Sequence, residues 1–197
     1  SLVADKRYRT QAPKKVRVLS TFENQFVFAD DKAVFSQAWA GSVYAKHELA
    51  GITLLAASGT SSFLLSDGTN LHVLEGGKTT FKTTLGSDQI VDIRFHAPTG
   101  SFFVLGTGSL SQMNTGTKSL ITLVKGSNFQ SFDVSGNQVL IGSSAGYREF
   151  DLVTKSWKGD LQSKLPVSDI QVLRHVGGKW WFGTKNGAFS LRKDGKY

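Results

Sequence analysis

The chain has 197 residues, of which 40% are hydrophobic and 19% are charged, and its formal net charge is +8. That length can bury a large core in a single domain, while the lack of cysteine excludes disulfides, thiolate zinc ligands and thiol nucleophiles. Its 21 glycines and 3 prolines favour many tight turns between strands. The sequence has no run of about 18 apolar residues, so no membrane-spanning helix is predicted.

Five short apolar segments recur along the chain, and each ends on a small residue followed by a polar turn. They read FVFADDKA, FLLSDGTN, FFVLGTGS, QVLIGSSAG and KWWFGTKNG. Their small residues are Ala29, Ser66, Gly106, Gly142 and Gly183. A period of about 40 residues built from short strands is typical of β-propeller blades. We therefore predict an all-β propeller of about five four-stranded repeats, with helix below about 10%.

The repeats follow a basic extension over residues 1–14. Their predicted bounds are 15–49, 50–85, 86–125, 126–164 and 165–197. The last repeat contains three obvious strands, and two explanations stand open. Either the segment 15–22, or the tail before it, closes that repeat as its fourth strand, or the chain is part of a larger, seven-bladed propeller, which would need roughly 280 residues at this period.

The small residue after each apolar run has a predicted mechanical role. Blades of a propeller converge on a central channel, where closely approaching segments favour glycine, alanine or serine. We expect Gly106, Gly142 and Gly183 to be structural for this reason. Trp180 and Trp181 are adjacent, so in a strand they must face opposite sides.

The last repeat carries a family pattern in LPVSDIQVLRHVGGKWWFGTKNGAFSLRKDG. It resembles the two-component regulator propeller repeat, with an LP pair before the first strand and a W-x-G-T core in the second. The matching positions are Leu165, Pro166, Ile170, Gly178, Trp181, Gly183, Thr184 and Gly187. The resemblance implies a sensor propeller in the periplasm or outside the cell, and it assigns Trp181 to a packed position.

The positive charge is concentrated at both ends of the chain. Residues 1–20 and residues 171–197 each hold six Lys or Arg against one Asp. If the first and last repeats adjoin, these ends form one basic surface that suits an anionic glycan or an acidic protein; an ordinary solvated surface is the alternative. The candidate ligand-binding residues are Lys14, Lys15, Arg17, Arg192, Lys193 and Lys196.

No local motif predicts catalysis, a metal or a cofactor. Histidines 47, 72, 96 and 175 occur singly, without an HExxH spacing. Asp30 and Asp67 occupy the turn position after the small residue, so we expect them to form turns rather than a catalytic dyad. The other acidic candidates are Asp31, Asp88, Asp92, Asp133 and Asp169.

These features favour a non-catalytic binding module that senses a ligand or contacts a protein. The alternative is a propeller-fold polysaccharide lyase or glycoside hydrolase, which would need carboxylate, His and Arg groups converging from different repeats. Nucleic-acid binding is disfavoured, because the basic excess is terminal and lacks interleaved aromatic residues.

Overall fold

The computed structural model describes residues 15–22, 25–38, 45–58, 62–162 and 169–191. Within these residues the structure is all-β, apart from one turn of 3-10 helix at Ala97–Thr99. The chain forms two compact units, over residues 1–84 and 85–197. Five antiparallel sheets are present, each following chain order from its first strand to its last.

The first unit contains two four-stranded sheets. The strands of sheet 1 are β1 (Val18–Phe22), β2 (Gln25–Ala29), β3 (Val34–Ala38) and β4 (Ala45–His47). Those of sheet 2 are β5 (Leu54–Ala57), β6 (Ser62–Ser66), β7 (Asn70–Glu75) and β8 (Lys78–Thr84). The first strands, β1 and β5, lie against each other. Val27, Ala29, Leu55, Phe63 and Leu65 are buried in the core between the two sheets.

The second unit contains sheets 3, 4 and 5. The strands of sheet 3 are β9 (Ile90–His96), β10 (Ser101–Gly106), β11 (Ser109–Asn114) and β12 (Ser119–Lys125). Those of sheet 4 are β13 (Phe129–Ser135), β14 (Gln138–Ser143), β15 (Gly146–Asp151) and β16 (Ser156–Gln162). Sheet 5 has β17 (Ile170–Val176), β18 (Lys179–Thr184) and β19 (Gly187–Leu191).

The burial of each strand follows its amino-acid composition. Every residue of the apolar strand β10 is buried, whereas the Thr- and Lys-rich last strand β8 is mostly exposed. Apolar side chains of neighbouring sheets interlock, as Phe103, Phe132 and Phe150 do between sheets 3 and 4. Within each unit the sheets pack face to face, with β1 against β5 in the first unit and β13 against both β9 and β17 in the second.

The predicted turns lie where expected. Gly177 and Gly178 connect β17 to β18 with φ of 60° and 74°, which is the backbone of a two-residue hairpin turn. The Oδ1 atom of Asp30 accepts hydrogen bonds from the amides of Lys32 and Ala33, both at 2.8 Å. Asp67 binds the amides of Thr69 and Asn70 in the same way, at 3.0 and 2.7 Å. Both aspartates are turn formers, as predicted.

The explanation that residues 15–22 close the last repeat is wrong, and closure by the tail before them lies outside the described residues. The segment 18–22 pairs with β2 as the first strand of sheet 1, in register Val18 to Ala29 through Phe22 to Gln25. It is not a strand of sheet 5, whose described strands are β17, β18 and β19.

Candidate functional site

The first strands of sheets 3, 4 and 5 carry polar side chains at matching positions. β9, β13 and β17 lie side by side in the second unit. The fifth residues of these strands are Arg94, Asp133 and Arg174. The residue before each of them is apolar and faces the other side of its strand, and these residues, Ile93, Phe132 and Leu173, are buried. The strands thus bring charged groups from three sheets together.

Asp92 is the centre of this charged group. Its Oδ2 atom accepts hydrogen bonds from Arg94 Nη2 at 3.1 Å and Arg174 Nη1 at 3.4 Å, and its Oδ1 atom accepts one from the amide of Ile93 at 2.9 Å. Burial raises the pKa of the Asp92 carboxyl, and the two guanidinium groups oppose that rise. Burial likewise lowers the pKa of Arg94. Asp92 is an anchor for two arginines.

Sheet 4 uses its side chains to bind the backbone of sheet 5. The amide of Leu173 donates to Ser131 Oγ at 2.9 Å, and the amide of His175 donates to Asp133 Oδ2 at 2.8 Å. The other oxygen of Asp133 accepts from the amide of Val134 at 2.9 Å. These bonds satisfy amides on the first strand of sheet 5 that no sheet partner reaches. Both carboxylates of the network are therefore engaged in holding the sheets together.

The histidines are dispersed. His96 is buried, its Nδ1 lies 3.0 Å from Thr99 Oγ1, and burial lowers its pKa. His175 packs its ring 4.8 Å from the Trp180 ring. His72 lies 3.6 Å from Asp67 Oδ2. Glu75 accepts a hydrogen bond from Thr80 Oγ1 at 2.9 Å. Among the described contacts, no histidine ring hydrogen-bonds to Asp92 or Asp133.

A surface cavity of about 500 Å³ opens beside this network in the second unit. Three of its lining residues, Val91, Gln130 and Gln171, are the second residues of β9, β13 and β17. The volume falls in the range of small-ligand sites, roughly 300 to 1,000 Å³. The remaining lining residues are Thr107, Asn128, Phe129 and Ser144.

Gln130 is held in one orientation at the base of this cavity. Its Nε2 donates to Asp169 Oδ1 at 3.0 Å, and Lys185 Nζ lies 3.1 Å from Asp169 Oδ2. The hydrogen bond from Gln130 and the contact with Lys185 lower the pKa of Asp169. The buried Oε1 atom of Gln130 has no hydrogen-bond partner among the described residues. The side-chain amide of Gln130 is therefore oriented by Asp169, and its unpartnered buried oxygen costs free energy in the fold.

A second cavity, of about 240 Å³, adjoins the first and shares Asn128, Phe129 and Ser144 with it. Lys125 and Arg148 supply its charge. Its other lining residues are Gly126, Ser127, Ile141, Ser143, Ala145 and Trp157. We refer to the two cavities together as the cleft.

The predicted basic surface is only partly within the described residues. Lys15 is exposed, and Arg17 forms an ion pair with Asp31. That pairing removes part of the free positive charge of Arg17. The other four candidates, Lys14, Arg192, Lys193 and Lys196, lie outside the described residues, so a single basic surface stays a prediction.

Trp181 is more exposed than the packed role that the resemblance assigns to it implies. Trp181 is 43% exposed and lies on the same face as the exposed Val172 and Val176. Its neighbour Trp180 packs instead against the core of Leu140, Tyr147, Ile170, Leu173 and Phe182. Adjacent strand residues face opposite sides, and here the covered side is that of Trp180.

The structural glycines make close contacts with side chains. A Cβ on Gly142 would lie 2.6 Å from Ile170 Cγ2, and one on Gly106 would lie 2.9 Å from Asp88 Cβ. Gly183 is less restricted, with Val172 Cβ at 3.2 Å. The crowding comes from side chains, rather than from the backbone approach that the sequence suggested.

Comparisons with known proteins give the fold class. No model of a known protein family matches the chain, and no curated protein matches it significantly. The extracellular domain of BT4673 from B. thetaiotaomicron, assigned to a hybrid two-component system, superposes with a TM-score of 0.72 at 14% identity, over 98% of this chain and 28% of that one. The Neurospora crassa Pan2 WD40 domain gives 0.65 at 14% identity, over 89% and 61%.

The computationally designed protein Ika8 gives a TM-score of 0.69 at 20% identity, over 89% of this chain and 57% of that one. This chain thus spans 28% to 61% of the chains that it matches. At these identities the likeness shows the fold, and the predicted class, an all-β propeller built of blade-like sheets, is confirmed.

The described residues contain no helix long and apolar enough to cross a bilayer. Within the same ranges, no three His, Asp or Glu side chains come together closely enough to hold a metal ion.

Proposed function

We propose that this chain is a propeller-fold binding module that holds a small polar ligand in the cleft without transforming it. The observation that carries the proposal is the cavity lined by Gln130, whose side-chain amide is fixed by Asp169 and whose oxygen has no hydrogen-bond partner among the described residues. Gln171, Asn128, Thr107 and Ser144 add amide and hydroxyl groups around it. Such neutral groups bind and orient a hydroxyl-rich ligand.

The ligand-sensing form of this proposal includes a location in the periplasm or outside the cell. It is supported by the repeat pattern around Trp181 and Gly183, and by the fold likeness to the extracellular domain of BT4673. The protein-interaction form has the Pan2 WD40 likeness in its favour. The cleft favours the first form, because a cavity of this volume suits a small molecule.

The predicted partners of the basic termini, an anionic glycan or an acidic protein surface, remain a second proposal. Binding through Lys14 and Lys15 should weaken as salt rises, because the Debye length falls from about 30 Å at 0.01 M to about 8 Å at 0.15 M. Charge reversal at these two lysines, measured at both ionic strengths, tests it. Binding indifferent to salt and to the reversal would remove the idea.

A glycan lyase or hydrolase is the alternative, and one observation favours it: Asp92, Arg94 and Arg174 converge from two sheets. Against it, both Asp92 and Asp133 accept backbone amide hydrogen bonds and so serve the fold. A general acid or base needs an oxygen within reach of substrate. Turnover of a glycan that is abolished by Asp133→Asn would favour the enzyme.

Calorimetric titration with a panel of neutral and acidic oligosaccharides tests the binding module. We expect Gln130→Ala and Gln171→Ala to weaken binding of whichever member binds. Gln138→Ala is the matched control, since Gln138 lies at the far end of β14 from Ser143. Binding unaffected by both cleft variants would contradict the proposal.

A further inference from the structure

The second cavity gives the cleft a charge that the first lacks. Lys125 and Arg148 line it, and no acidic side chain is among the described residues that line either cavity. Nearby Glu149 is paired with Lys158 at 3.0 Å and does not neutralise them. The cleft is therefore cationic at one end and neutral at the other, where Gln130 and Gln171 lie.

Arg148 is positioned before any ligand arrives. Its guanidinium carbon lies 4.4 Å from the centre of the Trp157 ring, which is a cation–π distance. Its Nε donates to the carbonyl of Gly159 at 3.3 Å. Trp157 is itself held edge-on by Phe129 and Phe150, with ring centres 6.4 and 5.8 Å away. The Nη groups of Arg148 are then the donors that a ligand would meet.

This arrangement suits an oxyanion. A guanidinium presents a planar fork of donors that matches a carboxylate or sulfate, and a prepositioned fork loses less conformational entropy on binding. The hydroxyls of Ser127 and Ser143 line the same cavity. The two cavities meet at Asn128, Phe129 and Ser144, so one ligand can occupy both.

We propose that the ligand of the cleft is an acidic oligosaccharide whose anionic group lies against Arg148 and whose neutral hydroxyls lie against Gln130 and Gln171. The inference rests on the proposed binding function and adds the ligand's chemical class. It places the anion site in the second unit, separate from the basic residues of the two termini.

The test compares trigalacturonate, the neutral galactotriose and a sulfated galactotriose by calorimetry in low salt. We expect either acidic sugar to bind at least tenfold more tightly than the neutral one. Arg148→Gln should reduce the affinity for the acidic sugars about tenfold and leave that for the neutral sugar unchanged. Arg148→Lys should fall between, since it keeps the charge but loses the fork. Lys179→Gln is the control, because it removes the same charge at an exposed residue of β18.

Each result decides between the two proposals. Equal affinity for acidic and neutral sugars, with both lost in Gln130→Ala, would overturn the acidic ligand and leave the binding cleft standing. No binding of any of the three sugars would overturn both. A tryptophan fluorescence change on binding that disappears in Trp157→Phe, with unaltered circular dichroism, would support the placement at Arg148.

Discussion

Gly142 provides a stringent test of how sheets 4 and 5 pack. Its backbone φ lies outside the left-handed region, so replacing it with alanine tests space alone. The new Cβ would lie 2.6 Å from Ile170 Cγ2 and 3.0 Å from Ile170 Cβ, closer than carbon atoms pack. Both residues are buried. Overpacking of this kind costs about 1 to 3 kcal/mol, and we expect Gly142→Ala to cost about 2 kcal/mol.

The cause is identified by a double-mutant cycle with Ile170→Ala. That change alone should cost about 2 to 5 kcal/mol through the cavity it leaves. In the double variant the methyl group added at Gly142 occupies space that Ile170→Ala has vacated. The double variant should therefore lose about 1 to 2 kcal/mol less free energy of unfolding than the sum of the losses in the two single variants. Urea unfolding with linear extrapolation gives the three free energies.

Gly116→Ala is the matched control, because its Cβ would meet only Asn114 Oδ1 at 3.4 Å. It should be neutral or stabilising by up to about 1 kcal/mol. The packing described between these sheets would be refuted if the loss of stability in the double variant equalled the sum of the two single losses within about 0.5 kcal/mol. It would also be refuted if Gly142→Ala left the stability unchanged.

Four further substitutions test particular contacts. Ser131→Ala should cost about 1 to 3 kcal/mol, because it leaves the buried amide of Leu173 without its acceptor; a neutral result in urea unfolding would contradict the link between sheets. Trp180→Ala should cost about 3 kcal/mol and Trp181→Ala about 1 kcal/mol, since only Trp180 packs against the core; the reverse order would restore the assignment made from sequence. Burial alone would raise the pKa of Asp67, but hydrogen bonds from Asn70 and Thr69 lower it to about 2. The lowered pKa stabilises the fold above about pH 4, and that stability is lost as pH falls through about 2. Asp67→Asn should flatten this acid limb of the pH–stability profile, and an unchanged limb would exclude Asp67 as its source.

Local features of the fold were predictable from sequence because their causes are local. The hairpin at Gly177 and Gly178 needs positive φ from its own residues. Asp30 and Asp67 form turns by binding amides two and three residues away. The blade period follows from the same local alternation of strand and turn.

The cleft and the charged network beside it were not predictable in the same way, because their groups come from distant parts of the chain. Asp92 and Arg174 are 82 residues apart and meet only after three sheets have packed. Aligning the first strands of the last three repeats would have matched Arg94, Asp133 and Arg174, and that alignment was the available signal. Asp92 and Asp133 were among the acidic candidates, but Gln130 and Arg148 carried no motif.

The sequence did not predict that Trp180 is more buried than Trp181, for a related reason. Alternation along β18 places Trp180 and Trp181 on opposite faces, but it does not say which face is covered. Which face of β18 is buried depends on the position of the neighbouring sheet, and sheet 4 lies on the side of Trp180 and Phe182. A repeat pattern assigns the packed position only when the neighbouring blade on that side is also known.

Amide hydrogen exchange with and without saturating trigalacturonate shows whether the cleft of the second unit is the binding surface. Binding in the cleft should slow exchange at residues 125–130, 143–148 and 169–171, which surround the two cavities. Protection confined to other segments, such as residues 15–22, would contradict it.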